Sequence, residues 1–169
     1  MKINEAKVHK LLLENPEKML RGLSVSHSEF SLLPAYSVLT RDVRETVGFG
    51  SSNSSTDEGR IIGRIDVILK YQRALYATEI KYAKPTNTSS DFWESLKILG
   101  YTEYFKWQTD ITNIHPAIMI PLHSIKLEQQ IVAGKLGLTI FAIYEELGKI
   151  KIKKLDDRPI WKQKESPLK

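Results

Sequence analysis

Residues 63–81 read GRIDVILKYQRALYATEIK, and the fold turns on how this stretch is read. It divides into two β-strands, residues 61–71 and 74–82, joined by a tight turn at Gln72 and Arg73. Asp66 lies in the first strand, Glu79 and Lys81 in the second. Side chains in a strand alternate between faces, so Glu79 and Lys81 share one side and Ile80 takes the other. A neighbouring strand brings Asp66 beside them. Two carboxylates at that range repel unless a cation lies between them. A hard divalent metal with oxygen ligands and retained waters answers the repulsion, and an ammonium alongside meets charge developing on a phosphate. A plainer reading uses the same residues: a hairpin with a cross-strand Asp66–Lys81 ion pair, worth little at a surface.

An acid, twelve intervening residues, then Glu79-Ile80-Lys81 resembles the signature of the PD-(D/E)XK nuclease superfamily. Ile65 stands where that signature has its leading Pro. The resemblance implies an α/β, restriction-endonuclease-like core with a mixed central sheet flanked by helices. It implies that Asp66 and Glu79, helped by the Ile80 backbone carbonyl, bind Mg²⁺ or Mn²⁺, and that Lys81 serves the scissile phosphate.

Upstream, residues 3–14 predict a helix with Val8, Leu11 and Leu12 as its apolar stripe. Asn15-Pro16 ends it and opens a short second helix that Gly22 closes. The string NEAKVHKLLLENPEKMLRGL (4–23) is similar to the opening of the archaeal structure-specific, mismatch and Holliday-junction-resolvase-like branches. In those a helical Glu supports the metal site. Glu5 matches that position best, with Glu14 and Glu17 as rivals. Residues 23–47 predict one or two strands broken at Pro34. GFGSSNSSTDEG (48–59) is a polar, glycine-bounded loop, either closing over a nucleic-acid backbone or merely connecting strands.

Downstream, DFWESLKILGYTEYFKWQ (91–108) predicts one helix, aromatic nearly all round, with most rings packed inward and a minority free to stack on unpaired bases. Several superfamily branches carry a Gln and, four residues on, a Tyr in this helix. Tyr101 matches the Tyr, while Lys97 stands at the Gln position and would contact phosphate. HPAIMIPL (115–122) is a strand buried on both faces. Residues 124–137 predict a helix with Ile125, Ile131, Val132 and Leu136 inward. LTIFAIYEELGKIKIKKL (138–155) predicts a strand, a turn and an edge strand guarded by lysines. One domain thus spans residues 1–155, followed by a basic, partly disordered tail over 156–169.

Composition bounds the rest. The absence of cysteine removes disulfide frameworks and thiol-ligated zinc, and suits an intracellular, cytoplasmic protein. No apolar run reaches membrane-spanning length, and no glycine-rich phosphate loop points to a nucleotide cofactor. The four histidines lack zinc-ligand spacing and read as structural. A net charge of +5 favours a polyanionic partner. The reading is a metal-dependent DNA endonuclease or exonuclease, in repair, recombination or replication. Its catalytic residues would be Asp66, Glu79, Lys81 and Glu5, with Arg60, Arg64, Lys84, Lys97 and Tyr101 on DNA and a homodimer if both strands are cut. The alternatives are a nuclease-fold module that only binds nucleic acid or bridges proteins, and a sequence-specific restriction-type enzyme.

Overall fold

The computed structural model describes residues 3–33, 63–82 and 88–155, with side chains in the last segment described from Asp91 onward. The loop expected over 48–59, any strand beyond Pro34, Arg60, Lys84 and the tail over 156–169 lie outside those residues. The elements run α1 (Glu5–Glu14), α2 (Pro16–Met19), β1 (Ser24–Leu32), β2 (Gly63–Tyr71), β3 (Ala74–Ile80), α3 (Thr88–Glu94), α4 (Lys97–Thr109), β4 (Ile114–Pro121), a 3₁₀ turn (Leu122–Ser124), α5 (Leu127–Leu136), β5 (Thr139–Glu146) and β6 (Lys149–Lys154).

The six strands form one mixed sheet in chain order, β1 to β6. β2 lies antiparallel to both β1 and β3; the two-residue β2–β3 connection can only return the chain beside itself. β3, β4 and β5 run parallel, each joined to the next through helices. β6 returns antiparallel and forms the edge, with Lys149 and Lys153 exposed and Ile152 buried. Three layers result. On one face Val8, Leu12 and Met19 of α1 and α2 pack against Val67, Leu69, Tyr76, Ile80, Met119 and Phe141. On the other, Phe92, Ile98, Phe105 and Ala133 pack against Ile65, Ile68, Ala77, Ile118 and Ile140.

Local chemistry sets the element ends. Asn4 caps α1, its side chain accepting from Lys7 N at 2.9 Å. The β2–β3 turn places Gln72 and Arg73 at φ 49° and 66°, the two left-handed positions of a primed hairpin turn. The β5–β6 turn does the same with Leu147 and Gly148, at φ 49° and 71°.

Three expectations for the helices are corrected. The single helix expected over 91–108 is two, the first starting three residues early at Thr88. At the break, Leu96, Ile98 and Leu99 donate to residues three back, and the buried Ser95 hydroxyl bonds Asp91 O at 2.6 Å. A serine that turns back on its own helix weakens continuation. The helix expected over 124–137 begins at Leu127, because Gln129 Oε1 accepts from Lys126 N at 3.0 Å and caps it there. Gln129 and Ala133 consequently face inward, and Ile131 and Leu136, expected inside, are exposed. Among the described residues no helix is long and apolar enough to cross a membrane.

Candidate functional site

The regular β2–β3 ladder runs from Tyr71↔Ala74 to Val67↔Thr78. One step further, Asp66 enters the backbone pattern with its side chain: Oδ2 accepts from Ile80 N at 2.8 Å. The next amide, Lys81 N, donates to Met119 O at 2.9 Å. β3 is therefore held to β4 by its backbone and to β2 by a carboxylate at the point where β2 and β3 part. Strand alternation also breaks here. Ile65 belongs to the core under α4 and Val67, two residues on, to the core under α1.

Glu79 lies in the next turn of the pleat. It is 2% exposed and faces α4. Its Oε1 meets Lys97 Nζ at 2.9 Å and Lys81 Nζ at 3.5 Å. Its Oε2 is buried without a hydrogen-bond partner among the described residues. A buried carboxylate oxygen left unpaired costs about 1–3 kcal/mol, so native structures seldom keep one without a use. The hydrogen bond from Lys97 to Glu79 holds the Lys97 ammonium above its ordinary pKa, so it stays charged.

Asp66 and helix α1 line a cleft of about 320 Å³ with Glu5, Ala6, His9, Glu29 and Ile80. Burial pushes the Asp66 carboxyl above its ordinary value of 3.8. The Ile80 N–H bond opposes that shift, Glu5 adds to it, and Lys81 and Lys97 oppose it. Asp66 is thus within electrostatic reach of all three charged neighbours, while Glu79 stands beside the cleft and not on its wall.

The expected residues are distributed as follows. Glu79, Lys81 and Lys97 come together, with Asp66 within electrostatic reach of both lysines. Of the three N-terminal acids, Glu5 faces Asp66. Glu14 makes an exposed ion pair with Lys10, and Glu17 accepts from Gly22 N at 2.8 Å, a local brace. Arg64 is exposed on β2. Tyr101 lies over Gly63, where an added Cβ would be 2.5 Å from the ring. The Ile80 contact to Asp66 is through its N–H.

Two cleft residues were not singled out from sequence. His9 sits one turn after Glu5 on the same helical face, a spacing that signals it, and its Nε2 lies 3.3 Å from Asp66 O. Glu29 falls opposite Asp66 between the paired steps Ser28↔Val67 and Phe30↔Ile65, at φ 53°. A positive φ in mid-strand gives no sequence signal when the residue is not glycine.

Among the described residues no three His, Cys, Asp or Glu side chains form a compact metal-holding group. The donors on offer are two carboxylates, one with an unpartnered oxygen. They suit a hard divalent cation that keeps several waters, and not a fully protein-ligated one. No family model matches the chain, and no curated protein or solved structure matches it significantly either.

Proposed function

We propose that the protein is a metal-dependent nuclease of the PD-(D/E)XK type, hydrolysing phosphodiester bonds in DNA, with a restriction-endonuclease-like core. One observation carries the reading: where β2 and β3 part, Asp66 caps the Ile80 amide beside a buried Glu79 whose Oε2 has no partner among the described residues. The order of elements supports it, with a helix, three antiparallel strands, a helical crossover and a parallel strand. The cleft supports it too. Its titratable walls are Glu5, Glu29, Asp66 and His9, with no lysine or arginine among them, so a phosphate entering needs a cation.

Asp66 and Glu79 are the residues to hold that cation, Mg²⁺ or Mn²⁺. When bound, a divalent ion supplies Lewis-acid charge at a phosphoryl oxygen and makes water a better nucleophile. The chain's own groups do the rest. Lys81, held 3.5 Å from Glu79, presents an ammonium to charge building on the phosphate. Lys97 holds Glu79 in place at 2.9 Å, from the position where the resembling branches carry Gln. Glu5 faces Asp66 across the cleft, where it orders water or a cation.

A second reading has its own observation. Two ammoniums share Glu79 Oε1 and lie within electrostatic reach of Asp66, so two acids and two ammoniums balance as a structural network. On that reading the protein only binds nucleic acid. Labelled single-stranded, duplex, flap and four-way DNA incubated with Mg²⁺, Mn²⁺ or EDTA separates the two. Cutting that needs metal and disappears in Glu79→Gln establishes the nuclease. Salt-sensitive binding without cutting in any metal establishes the binder.

A further inference from the structure

His9 bridges two elements that the sheet does not connect. It lies half-buried on α1, four residues after Glu5, and its ring Nε2 is 3.3 Å from the Asp66 carbonyl oxygen. A carbonyl only accepts, so the ring nitrogen donates, and Nε2 carries the hydrogen. The bond lands one residue beyond the last paired step of the β2–β3 ladder, opposite the left-handed Glu29. Asp66 is thus gripped twice, by its side chain to Ile80 N and by its backbone to His9.

We propose that His9 is a positioning residue: it fixes the Asp66 backbone against α1, and so sets the separation of Asp66 and Glu5 across the cleft. Without that bond, Asp66 keeps its sequence position but loses the anchor that aims its carboxylate at Ile80 N. The catalytic consequence rests on the nuclease reading; the anchoring does not.

The test compares wild type with His9→Leu, which removes the donor, and His9→Gln, which keeps a donor at similar reach. His9→Ala serves if His9→Leu does not fold. The first readout is metal-free amide hydrogen exchange at Ile80, bonded to Asp66 Oδ2, against Lys81, bonded to Met119 O. Local loosening raises exchange at one amide, whereas global destabilisation raises both. His9→Leu should speed Ile80 exchange about 10-fold relative to Lys81, and His9→Gln should leave the ratio near that of wild type. The second readout is Mn²⁺ binding by calorimetry. His9→Leu should weaken it by about 10–100-fold, the usual effect of losing a group that orients a ligand, with His9→Gln restoring most of it.

An unchanged Ile80-to-Lys81 ratio in His9→Leu overturns the proposal, as does a His9→Gln that behaves like His9→Leu. A wild type that binds no Mn²⁺, yet whose Ile80 exchange follows His9, supports the anchoring and removes the nuclease reading instead.

Discussion

Glu79 offers the sharpest test, because its two neighbours differ from it in exposure. Glu79 is 2% exposed, whereas the Lys81 and Lys97 side chains are 24% and 46% exposed. Deleting the carboxylate leaves two ammoniums that can turn to water. Deleting Lys97 leaves a buried carboxylate with one partner at 3.5 Å. Breaking a fully buried pair from one side costs about 3–5 kcal/mol, and discounting for the exposed lysine brings the expected cost of Lys97→Met to about 2 kcal/mol. Glu79→Met removes an unpartnered oxygen worth about 1–3 kcal/mol and puts an apolar chain of similar length in its place. It should therefore stabilise the fold by about 1–2 kcal/mol while abolishing cleavage. Urea unfolding reads both: for an m-value of about 2 kcal/mol/M, the midpoint of Glu79→Met moves up by about 0.5–1 M and that of Lys97→Met moves down by about 1 M. Mn²⁺ at ten times its Kd should add about 1.4 kcal/mol to wild type and nothing to Glu79→Met. A Glu79→Met protein less stable than Lys97→Met would refute the reasoning, and would make Glu79 a structural partner of the lysines.

Asp66→Asn keeps an acceptor for Ile80 N and removes a carboxylate whose pKa burial raises. A raised acid binds its proton more tightly when folded, so wild type loses stability as pH climbs from 3.8 through the raised value. Urea midpoints should therefore favour Asp66→Asn near pH 7, and the advantage should vanish towards pH 4. Gly63→Ala drives a methyl to 2.5 Å from the Tyr101 ring and should cost about 1–3 kcal/mol. Tyr101→Ala should recover most of that in a thermal double-mutant cycle, and additive losses would mean the two do not touch. Leu147, 96% exposed at φ 49°, should gain about 0.5–1 kcal/mol as Leu147→Asn, read as a higher melting temperature.

What could be read from the sequence was local. Asp66, Glu79 and Lys81 declare themselves through alternation and a hairpin whose turn needs two residues, whereas Glu5 rests on the resemblance alone, with Glu14 and Glu17 as rivals until α1 is placed against Asp66. Contacts between elements were hidden. Lys97 reads as a phosphate contact from its place four before Tyr101, because only the packing of α4 across β3 reveals that it lies on Glu79. The inward face of α5 was misread for a related reason. Its cap falls at Lys126, and a polar Gln129 turns in where apolar Ile131 seemed the natural choice. Glu29 was hidden by geometry alone: β1 shifts register between Val25 and His27 and then passes through a left-handed residue, so counting by twos along the strand fails.

The charge balance bears on which reading the cluster supports. Asp66 and Glu79 carry two negative charges, Lys81 and Lys97 two positive, so the four together neither attract nor repel a phosphate at long range. The cleft beside them adds Glu5 and Glu29 and so leans negative. A surface selected only to hold DNA would gain affinity by losing any of these acids, because each phosphate contact rests on counter-ion release and like charge opposes it. Glu79→Gln should accordingly bind duplex DNA more tightly than wild type in EDTA, by filter binding across a salt series. In Mg²⁺ the difference should narrow, since the cation restores to wild type the charge that the substitution supplies. If Glu79→Gln and wild type bind alike in EDTA and in Mg²⁺, the phosphate does not approach this end of β3, and the cluster's four charges serve the fold alone.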